Sequence, residues 1–186
     1  MEYQVTTAST LHHIEGIHTL QKKNLKSSLT VEEISSQGFV TCDHSISLLE
    51  EMGSEYPHVI CLQDNEVVGY ALVMLPSMRD RIDILVSMFD MIDTLSYNNQ
   101  ELINTDYFVM GQVCIAKGHR SKGLFHKMYS QLKSEMKEDF DLCITEIATE
   151  NLRSRKAHQK VGFEEIHTYI DKPSQISWEL VGWNWA

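Results

Sequence analysis

Three cations and two glycines share one short stretch of the chain, Lys117-Gly118-His119-Arg120-Ser121-Lys122-Gly123. A basic, glycine-containing loop that opens a helix can bind an anion. Free backbone N–H groups at the helix N-terminus point at the ligand, and the helix dipole favours negative charge. At Gly123 the missing side chain lets a phosphate approach the backbone closely. These residue types indicate a phosphate site, and the alternative is a surface loop that is basic by chance.

Two known phosphate motifs do not fit this loop. Gly118 and Gly123 have the spacing of a P-loop, but Leu124 and Phe125 occupy the positions of its Lys and its Ser or Thr. This argues against a nucleoside triphosphatase. The GxGxxG pattern of dinucleotide-binding folds is absent from the loop.

The elements that must position this loop follow from the hydrophobic pattern. Tyr107 to Ile115 is apolar and rich in β-formers, which predicts a largely buried strand. Leu124, Met128 and Leu132 are four residues apart, which predicts a helix. Patterns elsewhere predict the order β-α-α-β-β-(α)-β-α-β-α-β-β, with strands at 3–8, 57–62, 67–75, 141–148, 164–170 and 177–185 and an amphipathic helical insertion at about 77–105. Helices are predicted at 10–25 and 151–161, and a second helix runs from 31 to a break at Gly38 and restarts at Asp43 or Ser45 to end at 52. Thr30 and Glu33 resemble a capping box at the start of this second helix.

Length and charge limit the function classes. A chain of 186 residues predicts one domain, 1–186. The net charge of −10 argues against non-specific nucleic-acid binding. Residues 117–160 nevertheless hold ten of the sixteen Lys and Arg and only six of the twenty-six Asp and Glu. This clustering favours a compact anionic ligand, although two solvated Lys-rich helix faces would give the same count.

The cysteines and the apolar runs argue against a metal, a membrane and secretion. Cys42, Cys61, Cys114 and Cys143 are widely spaced without a CxxC, so we expect free thiols and no metal site. Cys114 lies in an apolar strand without an evident base, so a buried, inert thiol is favoured over a nucleophile. The N-terminus lacks a signal pattern, and the longest apolar run, 67–75, is too short for a bilayer. We therefore expect a cytoplasmic protein.

Two spaced motifs resemble the GCN5-related N-acetyltransferase (GNAT) superfamily. Arg120-Ser121-Lys122-Gly123-Leu124-Phe125 resembles its acetyl-CoA signature Arg/Gln-x-x-Gly-x-Gly/Ala, except that Phe125 replaces the small last residue. Asn151, a helix, His158 and then Gly162-Phe163 resemble its second signature. The resemblance implies an α/β fold with a mixed, mostly antiparallel central sheet, flanked by helices, whose strands splay at a cofactor cleft.

The resemblance also implies that acetyl-CoA is the cofactor and identifies the residues that bind it. Main-chain amides around Gly123 would hold the pyrophosphate, with added charge from Arg120 and Lys122. The strand edge would pair with the pantetheine arm, and Asn151 would bond it near the sulfur. The implied cofactor-binding residues are Gln112, Val113, Cys114, Ile115, Lys117, Gly118, His119, Arg120, Ser121, Lys122, Gly123, Leu124, Phe125, Asn151, Arg153, Ser154 and His158.

The chemistry implied by the resemblance is direct attack of a neutral primary amine on the thioester, with a strand N–H holding the oxyanion. A Tyr often stands where this chain has His158, which could protonate the leaving thiolate or merely pack beside the cofactor. Glu146 and Glu150 are both candidates for the general base, with Asp106 and Tyr107 as further possibilities at the rim of the cleft, and the sequence leaves the choice open.

The sequence therefore predicts an acetyl-CoA-dependent N-acetyltransferase with a small-molecule or peptide amine as acceptor. A cationic acceptor would suit the acidic remainder of the surface. No nucleic-acid or membrane partner is expected. A homodimer through 177–185 is an alternative to ordinary core packing of its tryptophans. Two rival functions are an acyl-CoA-binding regulatory module without turnover and an interaction protein that uses the aromatic C-terminal end.

Overall fold

The computed structural model describes residues 2–185, apart from the side chains of residues 83 and 84. The chain forms two compact units. The first comprises Met1–Val73 and Met110–Met136, and the second comprises Met74–Val109 and Lys137–Ala186. Strand β6 (Tyr107–Ile115) contributes its first part to the second unit and its remainder to the first. The prediction of a single domain stays a prediction.

The first unit is a sheet with helices. Its strands are β1 (Gln4–Thr7), β2 (Val59–Gln63), β3 (Glu66–Met74) and the second part of β6. They are hydrogen-bonded in this order, and β1–β2 and β2–β3 are antiparallel. Helix α5 (Leu124–Met136) buries the predicted Leu124, Met128 and Leu132. The other helices of this unit are α1 (Leu11–Asn24), α2 (Val31–Gln37) and α3 (Ile46–Met52).

Local signals place the boundaries of these elements. The Thr10 side chain accepts a hydrogen bond from the His13 N–H and begins α1. Thr30 and Glu33 form the predicted capping box of α2, which satisfies N–H groups at both ends of the pair. Asp64 and Asn65 both adopt positive φ in the two-residue turn between β2 and β3, as a hairpin turn of the I′ type requires.

In the second unit, β7 (Leu142–Ala148) lies between β6, which is parallel to it, and β9 (Ser177–Asn184), which is antiparallel to it. The order is β6-β7-β9-β8, with β6 and β7 parallel and the other pairs antiparallel. The mixed, mostly antiparallel sheet with flanking helices confirms the predicted fold class. The elements of this unit are α4 (Asp83–Ile92), β4 (Ser96–Tyr97), β5 (Gln100–Glu101), β7 (Leu142–Ala148), α6 (Leu152–Val161), β8 (Glu164–Ile170) and β9 (Ser177–Asn184).

The segment 77–105 is more divided than the sequence pattern predicts. A 3-10 turn (Pro76–Arg81) precedes α4, and a small hairpin, β4–β5, follows it around Asn98 and Asn99, which both have positive φ. The Arg79 guanidinium donates two hydrogen bonds to the Asp93 carboxylate, at 2.7 and 2.9 Å. Strands of two residues are too short to give a detectable alternation, so the hairpin has no sequence signal except its asparagine turn.

Among the described residues, every helix is too short or too polar to cross a bilayer. Within the same part of the chain, the side chains of His, Cys, Asp and Glu form no group of three that could hold a metal ion.

Candidate functional site

The basic loop lies between β6 and α5 and has the backbone of an anion site. Ser121 and Gly123 both have positive φ, 62° and 76°. A Cβ added at Gly123 would meet no atom within 4 Å, so the space in front of the first turn of α5 is open. The first N–H groups of a helix lack partners within it. The loop therefore presents N–H donors to an open approach.

Arg120 fixes this loop to two helices of the same unit. Its Nε donates to the Ile115 carbonyl at 2.8 Å, and one terminal nitrogen donates to the buried Asn24 Oδ1 at 2.7 Å. The other terminal nitrogen donates to the Gln37 carbonyl at 3.0 Å and to its Oε1 at 3.2 Å. The predicted charge on the cofactor stays a prediction, and these bonds favour a positioning role for Arg120.

Arg120→Ala is expected to lower the free energy of unfolding by about 2–3 kcal/mol, because a charged, forked donor is lost and Asn24 keeps a buried, unpaired oxygen. Arg120→Lys should recover little of this loss, since an ammonium cannot reproduce the planar fork. Urea unfolding of both variants measures the effect. A lysine variant as stable as the wild type would show that charge, not geometry, matters here.

The two lysines of the loop also have protein partners. Lys117 pairs with Glu33 of α2 at 2.8 Å. Hydrogen bonds from Lys117 and then from Thr30 lower the pKa of Glu33 to about 2. Lys122 donates to the Tyr3 hydroxyl at 2.9 Å, and the same hydroxyl lies 3.2 Å from His119 Nδ1. These contacts hold the loop against Tyr3, which precedes β1, and against α2.

A cleft of about 220 Å³ lies beside this loop within the first unit. Both Glu33 and Gln37 of α2 and two cations of the loop, Lys117 and Arg120, line it. The cleft is lined by Leu20, Lys23, Asn24, Leu29, Glu33, Gln37, Ala116, Lys117 and Arg120.

The part of β6 that precedes the loop alternates between buried and half-exposed residues. Gln112 and Cys114 are buried, while Val113 and Ile115 are half-exposed. Gln112 accepts from the Tyr70 hydroxyl at 2.6 Å and donates to the Cys42 carbonyl at 2.9 Å. Registered pairs of β6 with β7 are Tyr107–Val109 with Leu142–Ile144. Because the Gln112 side chain is already hydrogen-bonded, a ligand along 112–115 would contact the backbone.

Cys114 has the environment of an inert thiol. Burial raises its pKa to about 12, so the group stays protonated at neutral pH. Within the described residues the four cysteines form no disulfide. The thiol of Cys114 is therefore unsuited to nucleophilic attack.

Asn151 begins helix α6 of the second unit. Its Oδ1 accepts from the Ser154 N–H at 3.3 Å, and the residue is buried. Arg153 is exposed on the first turn. Phe125 of the other motif, which replaces the small residue of the family signature, packs against Tyr129 with ring centroids 4.9 Å apart. The cofactor contacts of these residues stay predictions.

His158 is a neutral, buried histidine. Its side chain is 1% exposed, and burial lowers its pKa to about 4. Nδ1 lies 2.9 Å from the Ser154 carbonyl, which can only accept, so Nδ1 carries the proton. Nε2 then has a lone pair and no proton to give. The acid role stays a prediction, and the geometry favours the packing alternative.

Stability should fall in acid, because burial lowers the pKa of His44, His58 and His158 to about 4. The unfolded chain then binds more protons than the folded one between about pH 6.5 and 4. Glu146 has the opposite effect over part of this range, because its raised pKa makes the folded chain bind a proton that the unfolded chain has lost. Near pH 5 the free energy of unfolding should fall by about 2–3 kcal/mol for each pH unit of acidification. Denaturant titrations at pH 5, 6 and 7 measure it. His158→Phe should flatten the slope by about one proton, and a stability independent of pH would contradict this.

Glu146 and Glu150 differ sharply. Glu150 is exposed in the turn after β7. Glu146 lies on β7, and burial raises its pKa to about 7, with a further increase from the negative charge of Asp171. The Tyr169 hydroxyl donates to its Oε2 at 2.6 Å, which acts in the opposite sense. A general base works best with a pKa near the operating pH, so Glu146 is the better candidate.

Several residues around these sites carry no signal in the sequence. Tyr169 and Asp171 act on Glu146 from the next-but-one strand and the turn after it. Asn24 and Gln37 receive Arg120, although they are 96 and 83 residues away along the chain. The capping-box pattern revealed the helix-capping role of Glu33, but nothing in that pattern indicated its pairing with Lys117.

Comparisons with known proteins concern the family and the fold. The sequence model described as the acetyltransferase (GNAT) family matches residues 27–163. No curated protein matches. The fold is similar to that of the ribosomal-protein-S18-alanine N-acetyltransferase from Escherichia coli (TM-score 0.65, 9% identity, 100% of this chain and 95% of that one). It is also similar to a chain of the NatC complex bound to Gag peptide and CoA (TM-score 0.67, 12% identity, 100% of both chains). A third similar structure is that of yncA from Salmonella typhimurium with its cofactor acetyl-CoA (TM-score 0.65, 13% identity, 100% of this chain and 95% of that one).

Proposed function

Since this chain belongs to the acetyltransferase (GNAT) family, we propose that it transfers an acetyl group from acetyl-CoA to a primary amine. The observation that carries the proposal is the open, left-handed backbone at Gly123, at the start of α5 and within the matched segment. This is the position at which the family motif predicts a pyrophosphate.

The residues of the first unit fit acetyl-CoA. The N–H groups of the loop and of the first turn of α5 would hold its pyrophosphate, because they face an approach without side chains at Gly118 and Gly123. Arg120 would keep the loop in this shape through its bonds to Asn24 and Gln37. Lys117 and Lys122 would add positive charge. The backbone of β6 from Gln112 to Ile115 would align the pantetheine arm.

When bound, acetyl-CoA supplies an activated acetyl thioester for attack by the amine. The protein must supply a base, since most amines are protonated at neutral pH. Glu146 takes this proton on its carboxylate, either directly or through water, and its raised pKa makes it a competent acceptor near pH 7. A backbone N–H of β6 would donate to the thioester oxygen as negative charge develops on it, which is typically worth about 3 kcal/mol for one donor. As the C–N bond forms, the C–S bond would break, and coenzyme A would leave as a thiolate that takes the second proton of the amine nitrogen through water.

We assign His158 a packing role rather than an acid role. Its ring lies edge-on to Phe163, with centroids 5.1 Å apart, and its Nδ1–H is bonded to the Ser154 carbonyl. His158→Phe should therefore retain kcat at saturating substrate. A loss of kcat that is recovered by adding an external proton donor would support the acid role instead.

The acceptor is proposed to be a cationic amine. The chain outside 117–160 is strongly acidic, which favours the approach of positive ligands. One structural neighbour is a ribosomal-protein-S18-alanine N-acetyltransferase, and another belongs to a complex bound to a peptide. A test panel should therefore include peptide N-termini as well as polyamines and aminoglycosides. A homodimer through 177–185 stays an open alternative.

The experiment that tests this function is a thiol-release assay with acetyl-CoA over such a panel, combined with thermal stabilisation by acetyl-CoA alone. We expect release with at least one amine and a raised melting temperature, because a ligand that binds only the folded state stabilises it. Stabilisation without release would favour the regulatory module. If neither occurs, the interaction protein is favoured and the proposal is wrong.

A further inference from the structure

Glu146 belongs to a small polar cluster on β7, β8 and the turn that follows β8, all within the second unit. Glu146 pairs with Leu180 on β9, and Leu180 pairs with His167 on β8. In the next same-face row, Ala148, Trp178 and Tyr169 are aligned in the same way. Tyr169 therefore lies one row beyond Glu146, and its hydroxyl reaches back to Oε2 at 2.6 Å.

Asp171 stands one further same-face position along the chain, directly after β8. It is 3% exposed, and its Oδ2 accepts from the N–H of Ser174 at 2.8 Å and from the Ser174 hydroxyl. Its own backbone is fixed by the bond from its N–H to the Ile176 carbonyl at 2.9 Å. Asp171 therefore holds a negative charge at a fixed place near Glu146.

We infer that Tyr169 and Asp171 are positioning residues that set the orientation and the protonation of Glu146 in opposite senses. This inference rests on the proposed function, in which Glu146 is the base. Tyr169 holds one carboxylate oxygen in a defined direction and stabilises the charged form. Asp171 disfavours that form by charge repulsion. Together they keep the carboxylate ordered and able to accept a proton near neutrality.

The other groups near Glu146 do not replace this pair. The neighbour on β9, Leu180, is apolar, and the stacked partner of Tyr169 is His167, with centroids 6.5 Å apart. Glu179 is adjacent to Leu180 on β9 and so points to the other face of the sheet, where it pairs with Arg155 of α6. The charged and hydrogen-bonding groups that act on Glu146 among the described residues are Tyr169 and Asp171.

The test uses two variants: Tyr169→Phe keeps the ring, and Asp171→Asn keeps an acceptor for Ser174. The midpoint of Glu146 is read in two ways: from the acid limb of kcat/KM against pH, and from the carboxyl ¹³C resonance of the protein without acetyl-CoA. Tyr169→Phe should raise the midpoint by about one pH unit, lowering kcat/KM about fivefold at pH 7 but little at pH 9. Asp171→Asn should lower the midpoint.

Shifts in opposite directions support the inference. Unchanged midpoints in both variants, or shifts in the same direction, overturn it, and a purely structural role would lower kcat/KM at every pH. The carboxyl titration separates this inference from the proposed function. If no amine is acetylated but the midpoints still move in opposite directions, the cluster is correct and the proposed reaction is wrong.

Discussion

Glu146→Gln is expected to lower kcat/KM about 10²–10³-fold at pH 7.5, which is the usual loss when a general base is removed. Glutamine has the same shape and can still accept the Tyr169 hydrogen bond, so the loss would report proton transfer rather than packing. The measurement is thiol release with the best amine of the panel, at subsaturating acceptor.

The acetylation rate should depend on pH through the ionisation of Glu146. Glu146 accepts a proton only when ionised, and its pKa is about 7. The wild-type rate should therefore fall about tenfold per pH unit below pH 7, and the variant should lack this limb. The same raised pKa means that the half-buried charge destabilises the fold as pH rises through 7. Glu146→Gln should then keep or raise the melting temperature at pH 8.

Glu150→Gln is the matched control, because it makes the same change in the exposed turn that follows the same strand. We expect its kcat/KM to stay within about threefold of the wild type, since an exposed carboxylate is easily replaced by water as a proton acceptor. A large loss in Glu150→Gln with little loss in Glu146→Gln would exchange the two assignments.

Gly123→Ala is expected to weaken acetyl-CoA binding at least tenfold, or about 1.4 kcal/mol, and to lower the unfolding free energy by about 1–2 kcal/mol. The backbone at Gly123 has φ of 76°, a conformation that a Cβ disfavours, and the new methyl group would stand in the open approach to α5. Calorimetry with acetyl-CoA and urea unfolding measure the two effects separately.

Gly123→Asn separates conformation from approach. Asparagine tolerates positive φ better than alanine does, so this variant should recover much of the stability while its side chain still blocks the approach. Gly118→Ala is the control for stability, because Gly118 has open space but no positive φ, and we expect a change within about 0.5 kcal/mol. Normal acetyl-CoA affinity in Gly123→Asn would show that the pyrophosphate does not lie at this position.

The family and most of the fold were predictable because their signals are local. The capping box at Thr30, the left-handed turn at Asp64-Asn65 and the four-residue spacing in α5 each act within one or two turns of chain. The loop that ends at Gly123 is likewise a continuous stretch, so its residues are neighbours in any fold that forms β6 and α5.

The surroundings of the charged groups come only from the tertiary structure, because burial and partners come from distant segments. Arg120 reads as a phosphate ligand in the sequence, but its donors meet Asn24 and Gln37. In the sequence His158 is either an acid or a packing residue, and only the fold shows that burial lowers the pKa of its ring. Glu146 and Glu150 are equivalent in the sequence, and the register of β7, β9 and β8 alone brings Tyr169 to one of them. Hydrophobic periodicity specifies which residues lie inside, whereas a pKa depends on which groups meet there.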